Sequence, residues 1–166
     1  MTPTDLSPTP PQAEGLSGGC QCGAVRYRAG SLGRASICHC RMCQKAFGAF
    51  FGPLVTAHDL VWTRGHPKHF ASSNKVRRGF CADCGTPLTY DWGGDVEIAI
   101  GSLDDPELAA PVIQVNPADR LSFFARLHEL PVREPSHNAG VAAFMAGIES
   151  RQHPDHDTET WPPEGR

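Results

Sequence analysis

Between Gly15 and about Leu130, apolar residues recur in short runs cut by Gly, Pro, Asn and Asp. "AVRYRAG" alternates apolar and polar with period two after the turn at Cys22-Gly23. "FFGPLVTA", "LVWTRG", "KHFASS", "VRRGF", "PLTYDW" and "VEIAIGSL" follow, each of strand length. The pattern predicts many short strands joined by turns. "DDPELAA" predicts a short helix with an acidic residue ahead of Pro106 in its first turn. "CRMCQKAFG" predicts a second helix, which starts inside a cluster of cysteines. "VNPADRLSFFARLHEL" fits either a helix from Pro117 or an irregular strand pair, and "NAGVAAFMAGIES" predicts a terminal helix.

This pattern divides the chain into a flexible leader over residues 1–14, one domain over 15–132 and an extension over 133–166. The extension ends in the polar, Pro-rich "RQHPDHDTETWPPEGR". Its His153 and His156 are weak candidates for metal chelation, and a solvated tail is the plainer expectation. At 166 residues the chain is long enough to bury a core. Net charge of -3 gives no reason to bind nucleic acid or an anionic membrane. The longest apolar run, "AGVAAFMAGI", is about half of what a bilayer span needs, and the N-terminal stretch lacks the basic and apolar parts of a secretory signal. The expected location is the cytoplasm, where thiols stay reduced. There, seven cysteines argue for metal ligands over disulfides, and an odd number leaves one thiol over in any all-disulfide scheme.

The cysteines fall into Cys20-x-Cys22, Cys38-x-Cys40-x-x-Cys43 and Cys81-x-x-Cys84-Gly85. In extended chain, residues i and i+2 point the same way, so each Cys-x-Cys offers both sulfurs to one side and turns His39 to the other. In a helical turn, i and i+3 share a face, which lets Cys43 join Cys40. "CADCG" resembles a zinc knuckle, with Gly85 taking the left-handed turn. Structural zinc takes four ligands, whereas catalytic zinc takes three and leaves one position open. Cys20, Cys22, Cys81 and Cys84 therefore fit a closed structural site. Cys38, Cys40 and Cys43 fit an open catalytic one, and soft thiolates favour zinc over magnesium or calcium. A second reading closes the trio with a histidine, for which His39, His58, His66, His69 and His128 are candidates by composition. A third leaves the trio as buried free thiols.

Three thiolates on Zn²⁺ leave a net charge of -1, a poor centre for splitting water. Such a centre suits a fourth thiolate from a substrate, because binding deprotonates a thiol whose free pKa is roughly 8.5 and leaves the sulfur nucleophilic. Holding that proton off at pH 7 offsets about 2 kcal/mol, and positioning thiol beside electrophile supplies more. The chemistry implied is carbon–sulfur bond formation or cleavage. A thiol such as glutathione carries carboxylates, so Lys45, Arg77 and Arg78 are candidates to hold it, as is Lys75, with solvated surface charges as the alternative. Phe47, Phe50 and Phe51 read as core or pocket wall, and Trp62, Tyr90 and Trp92 as sheet core.

"GGCQCGAVRY", "CHCRMCQKAFGA", "RGFCADCGTPLTY" and "IAIGSLDDP" closely resemble the glutathione-dependent formaldehyde-activating enzyme (GFA, or CENP-V domain) family, over roughly Leu16 to Val132. The resemblance implies a mainly-β, Mss4-like fold of short antiparallel sheets with a few short helices. It implies two zinc ions, structural on Cys20, Cys22, Cys81 and Cys84 and catalytic on Cys38, Cys40 and Cys43. The implied activity is that of S-(hydroxymethyl)glutathione synthase, a carbon–sulfur lyase run in reverse. A zinc-bound thiolate of glutathione, the co-substrate, adds to formaldehyde or another small aldehyde. The competing expectation is a non-catalytic, zinc-stabilised binding or redox-sensing module. Gln44 and Phe47 depart from the family pattern, which has a basic and a small polar residue there. "VIQVNPADRL" lacks the His/Trp pattern of many relatives.

Overall fold

A computed structural model describes residues 16–135 and 137–162. The leader expected over residues 1–14 lies outside the described residues. Strands are numbered in chain order. β1 (Ser17–Gly19), β2 (Arg26–Arg28) and β5 (Val61–Arg64) form a small antiparallel sheet in the order β1-β2-β5. The large sheet contains β3 (Ser31–Cys38), β4 (Gly52–His58), β6 (Lys68–Ala71) and β7 (Arg77–Phe80). β8 (Pro87–Asp91), β9 (Val96–Ala99) and β10 (Ile113–Val115) complete it. Its order is β10-β3-β4-β9-β8-β7-β6, antiparallel throughout except where β10 runs parallel to β3. Helix α1 (Arg41–Phe47) joins β3 to β4, and α2 (Ala139–Ala146) stands near the C-terminal end.

Register explains which side chains meet. Cross-strand partners share a face, and neighbours along a strand take opposite faces. Ala35 pairs with Val55, and Val55 with Ile98, so these three point together into the core between the sheets. Tyr27, Leu88, Ile100 and Leu103 fill the same core, and Tyr27 lies edge-on to Trp62 at 5.8 Å. One residue out of phase, Ser36 pairs with Leu54, Glu97 with Tyr90, and Tyr90 with Arg78. The large sheet thus has an apolar inner face and an outer face carrying polar and titratable groups.

The mainly-β, Mss4-like fold matches the expectation. "DDPELAA" folds as a 3₁₀ turn over Pro106–Ala109, with the Asp105 carboxylate accepting from the Glu107 amide. "VNPADRLSFFARLHEL" is neither a helix nor a strand pair. It forms two 3₁₀ turns, Pro117–Asp119 and Phe124–Glu129, after the short β10. The longest strand, β3 ("SLGRASIC"), has no clean alternation because small residues occupy both of its faces.

Ile98→Ala is expected to cost about 2–5 kcal/mol, because Ile98 is fully buried at the centre of the core. The loss would appear as a lowered urea midpoint with an unchanged slope.

Candidate metal centres

All seven thiols are free, and their sulfurs gather in two groups, each lying within 4.8 Å of one another. The first group is Cys20, Cys22, Cys81 and Cys84; the second is Cys38, Cys40 and Cys43. No histidine or carboxylate joins either group among the described residues. Cys20 Sγ lies 3.6 Å from Cys22 Sγ, and Cys22 Sγ lies 3.8 Å from Cys81 Sγ. A tetrahedron with zinc–sulfur bonds of about 2.3 Å has edges of about 3.8 Å, so the donor set fits zinc in both chemistry and spacing.

The four-sulfur group is built from two turns. Cys20–Gly23 is a turn closed by Gly23 N–H donating to Cys20 O at 3.0 Å, rather than extended chain. Cys81–Gly85 closes likewise at 2.9 Å, and Gly85 takes φ +77°. Packing four thiols together sets their proton affinities against one another. Burial drives Cys22 and Cys81 upward. Burial also pushes on Cys84, but hydrogen bonds with Thr86 and Cys22 outweigh it and bring that thiol to about 6. A bound cation relieves such a conflict by making every member a thiolate.

Cys38 ends β3, Cys40 caps α1 and Cys43 sits in its first turn. Cys40 Sγ accepts from the Cys43 amide at 3.4 Å, the role a serine or aspartate plays at other helix starts. Cys43 is buried, which pushes its thiol up to about 12 against the pull of Arg78. The Arg78 guanidinium, 4% exposed, donates from Nη2 to Cys43 Sγ at 3.2 Å and from Nε to Ser72 Oγ at 2.9 Å. It also lies 4.9 Å from the centre of the Tyr90 ring. Asn116 Nδ2 donates to Cys38 Sγ at 3.5 Å.

The three sulfurs line a cavity of about 440 Å³ on the outer face of the large sheet. Its wall includes Arg34, Met42, Tyr90, Trp92, Glu97 and Asn116. Of the cations expected beside the trio, Arg78 is in place. Lys45 instead lines a neighbouring cleft with Phe70 and Phe80, and Arg77, one residue out of phase with Arg78, is exposed on β7. Lys75 is exposed and lines neither. Tyr90 and Trp92, expected in the sheet core, belong to the cavity wall. Phe47 lines the cleft beside Lys45, while Phe50 and Phe51 meet Phe123 and Phe124 edge-on. His39 turns away from the sulfurs as alternation predicts: it is 0% exposed and bonded through Nε2 to Gln114 Oε1 at 2.9 Å. Gln44 also points away, donating to His39 O at 2.8 Å and Asp119 O at 3.2 Å, which ties α1 to the turn after β10.

The tail keeps most of its residues exposed, but it is docked rather than free. Gln152 to Trp161 crosses the Cys20–Cys22 turn. His153 N donates to Gln21 O at 2.7 Å, and Trp161 Nε1 donates to Cys22 O at 2.8 Å. Asp157 pairs with the buried Arg26 at 2.8 Å and with Arg28 at 2.9 Å, while Arg26 also holds Asp104 at 2.6 Å. The His153 ring, 2% exposed, packs on Gly23, where a Cβ would collide with it. His153 and His156 are absent from both sulfur groups.

A two-sheet β-fold that collects seven thiols into a set of four and a set of three, the latter opening on a cavity, defines a protein equipped for metal binding through sulfur. Residues 15–118 match the model of the glutathione-dependent formaldehyde-activating enzyme family, and the chain belongs to that family. A crystal structure of a Rhodobacter sphaeroides protein is similar at 21% identity and a TM-score of 0.48, covering 60% of this chain and 100% of that one. No curated protein sequence matches. No helix among the described residues is long and apolar enough to cross a membrane.

Burial lowers the His153 pKa, so the docked tail favours the neutral ring. Docking is therefore complete above the unfolded histidine value of about 6.5 and weakens as pH falls below it. Burial alone would raise Asp157, but Arg26 and Arg28 hold it below the ordinary carboxylate value, and it stays charged across that window. Hydrogen exchange at the His153 amide, corrected for intrinsic rates, is expected to quicken from pH 7 to pH 5. His153→Gln should flatten that dependence.

Proposed function

We propose that this chain joins a thiol to a small aldehyde at Cys38, Cys40 and Cys43, with Cys20, Cys22, Cys81 and Cys84 holding a structural zinc. The observation that carries this reading is the difference between the two sulfur groups. One supplies the four donors of a closed tetrahedron; the other supplies three and faces a cavity. Zinc on the trio would supply a place where a thiol gives up its proton at neutral pH and stays nucleophilic.

The chain's own residues supply the rest. Arg78 sets a permanent positive charge against Cys43, offsetting the excess negative charge of a thiolate cluster. Arg34, exposed and on the cavity wall, is suited to a carboxylate of the thiol. Trp92 and Met42, both partly exposed, add apolar surface to the cavity wall. The family name points to glutathione and formaldehyde as the pair, making the activity that of a carbon–sulfur lyase run toward synthesis in the cytoplasm.

Purified chain is expected to carry about two zinc ions and to speed the formaldehyde-dependent loss of free glutathione above the buffer rate. Cys43→Ala is expected to retain about one zinc and to lose the added rate. Equal rates in both proteins, matching buffer, would end this reading.

A further inference from the structure

Addition of sulfur to a carbonyl leaves negative charge on oxygen, and that oxygen has to receive a proton. His39 is on the far side of β3, and Lys45 lines a different cleft. Around the three sulfurs, the cavity wall holds four titratable side chains: Arg34, Arg78, Tyr90 and Glu97. An arginine does not surrender its proton in a protein. Burial raises Tyr90 above its already high value, only partly countered by Arg78. Glu97 is left.

Its position suits the task. Glu97 lies on β9, the strand between β4 and β8, and is paired with Thr56 on one side and Tyr90 on the other. Tyr90 pairs in turn with Arg78, so Arg78, Tyr90, Glu97 and Thr56 form one row across the outer face, and Glu97 lines the same cavity as the three sulfurs. No ion pair engages its carboxyl among the described residues. Burial lifts the carboxyl above its ordinary value, with Arg34 and Arg78 pulling it partly back. The titratable groups that line the cavity with it are Arg34 from β3, Tyr90 from β8, Arg78 from β7 and the thiols of Cys38, Cys40 and Cys43.

We propose that Glu97 is the general acid that protonates the aldehyde oxygen as the thiol's sulfur adds to the carbonyl carbon. The proposal rests on the thiol–aldehyde reading above. A sulfur lone pair forms the C–S bond, the C=O π pair moves onto oxygen, and that oxygen takes the Glu97 proton to become the hydroxyl of a hemithioacetal. The proton shed by the thiol on entering the site returns through water to the carboxylate, so nothing is oxidised or reduced. In cleavage, the Glu97 carboxylate removes the hydroxyl proton as the C–S bond breaks.

The test compares zinc-loaded wild type with Glu97→Gln, which keeps the size and polarity of the side chain but has no acidic proton. The expected result is a kcat lower by about tenfold or more, with KM for glutathione, zinc content and melting temperature unchanged. Wild-type kcat should fall as pH rises through the Glu97 pKa, measured independently by ¹³C-carboxyl NMR titration, and the variant should lack that limb. A variant with wild-type kcat and the same limb overturns the proposal. So does a raised KM at unchanged kcat, which assigns Glu97 to holding the ammonium group of the thiol. If Glu97→Gln loses zinc, Glu97→Asp decides. Reduced kcat with zinc retained supports the acid role, whereas zinc loss in both variants, or full kcat in the aspartate, overturns it. Wild type that never exceeds the buffer rate sinks the thiol–aldehyde reading itself, a result distinct from all of these.

Discussion

The structure depends on drawing together sulfurs that lie far apart in sequence. Cys22 and Cys81 are 59 residues apart, yet their sulfurs lie 3.8 Å from each other. That meeting joins a corner of the small sheet to the β7–β8 corner of the large one. A metal bound there stabilises the fold by the same free energy that binds it, since the unfolded chain has no preformed site. The closure also reaches the second group, because Arg78 stands three residues ahead of Cys81 on the strand that leads into the turn. The four-sulfur site thus fixes the strand from which the guanidinium reaches Cys43. One cluster positions a partner of the other.

Charge explains why an arginine stands there. Three thiolates around a divalent ion leave one negative charge in excess, and a substrate thiolate would add another. Desolvating that charge beside Cys43 is costly without a cation of its own. Arg78 meets the need with three fixed engagements, to Cys43 Sγ, Ser72 Oγ and the Tyr90 ring, and its planar head is held in one orientation. A lysine at this position has neither the fork to make both hydrogen bonds nor the plane to stack.

The sulfur partition was legible in the sequence because spacing within each cysteine block fixes which sulfurs can converge, and ligand number separates a set of four from a set of three. The strand-rich fold was legible from the period-two run at β2 and the strand-length runs at β4 to β9. The cavity wall was not. Arg34, Tyr90, Glu97 and Asn116 come from β3, β8, β9 and the turn after β10, and only the pairing register brings them to one face. The same register sends Arg77 away from the cavity while its neighbour Arg78 lines it. β3 escaped detection because Gly33, Ala35 and Ser36 give no apolar alternation, and the unevenness coincides with a register shift between Leu32 and Ala35. Composition read the exposure of the Pro-rich, polar tail but not its docking, which rests on buried Arg26 and on the seat of His153, neither of which local sequence announces.

Docking of that tail turns the stretch ahead of it into a closed loop, held at one end by the Phe124 ring against His39 and Phe51 and at the other by His153. Helix α2 rides on the loop, and Val141, Phe144 and Met145 all keep solvent-exposed surface. Because closure entropy grows only as the logarithm of length, doubling such a loop costs about 0.6 kcal/mol. The segment around α2 can therefore be lengthened, shortened or exchanged while both sulfur clusters keep their geometry. It is the region of the molecule most open to change.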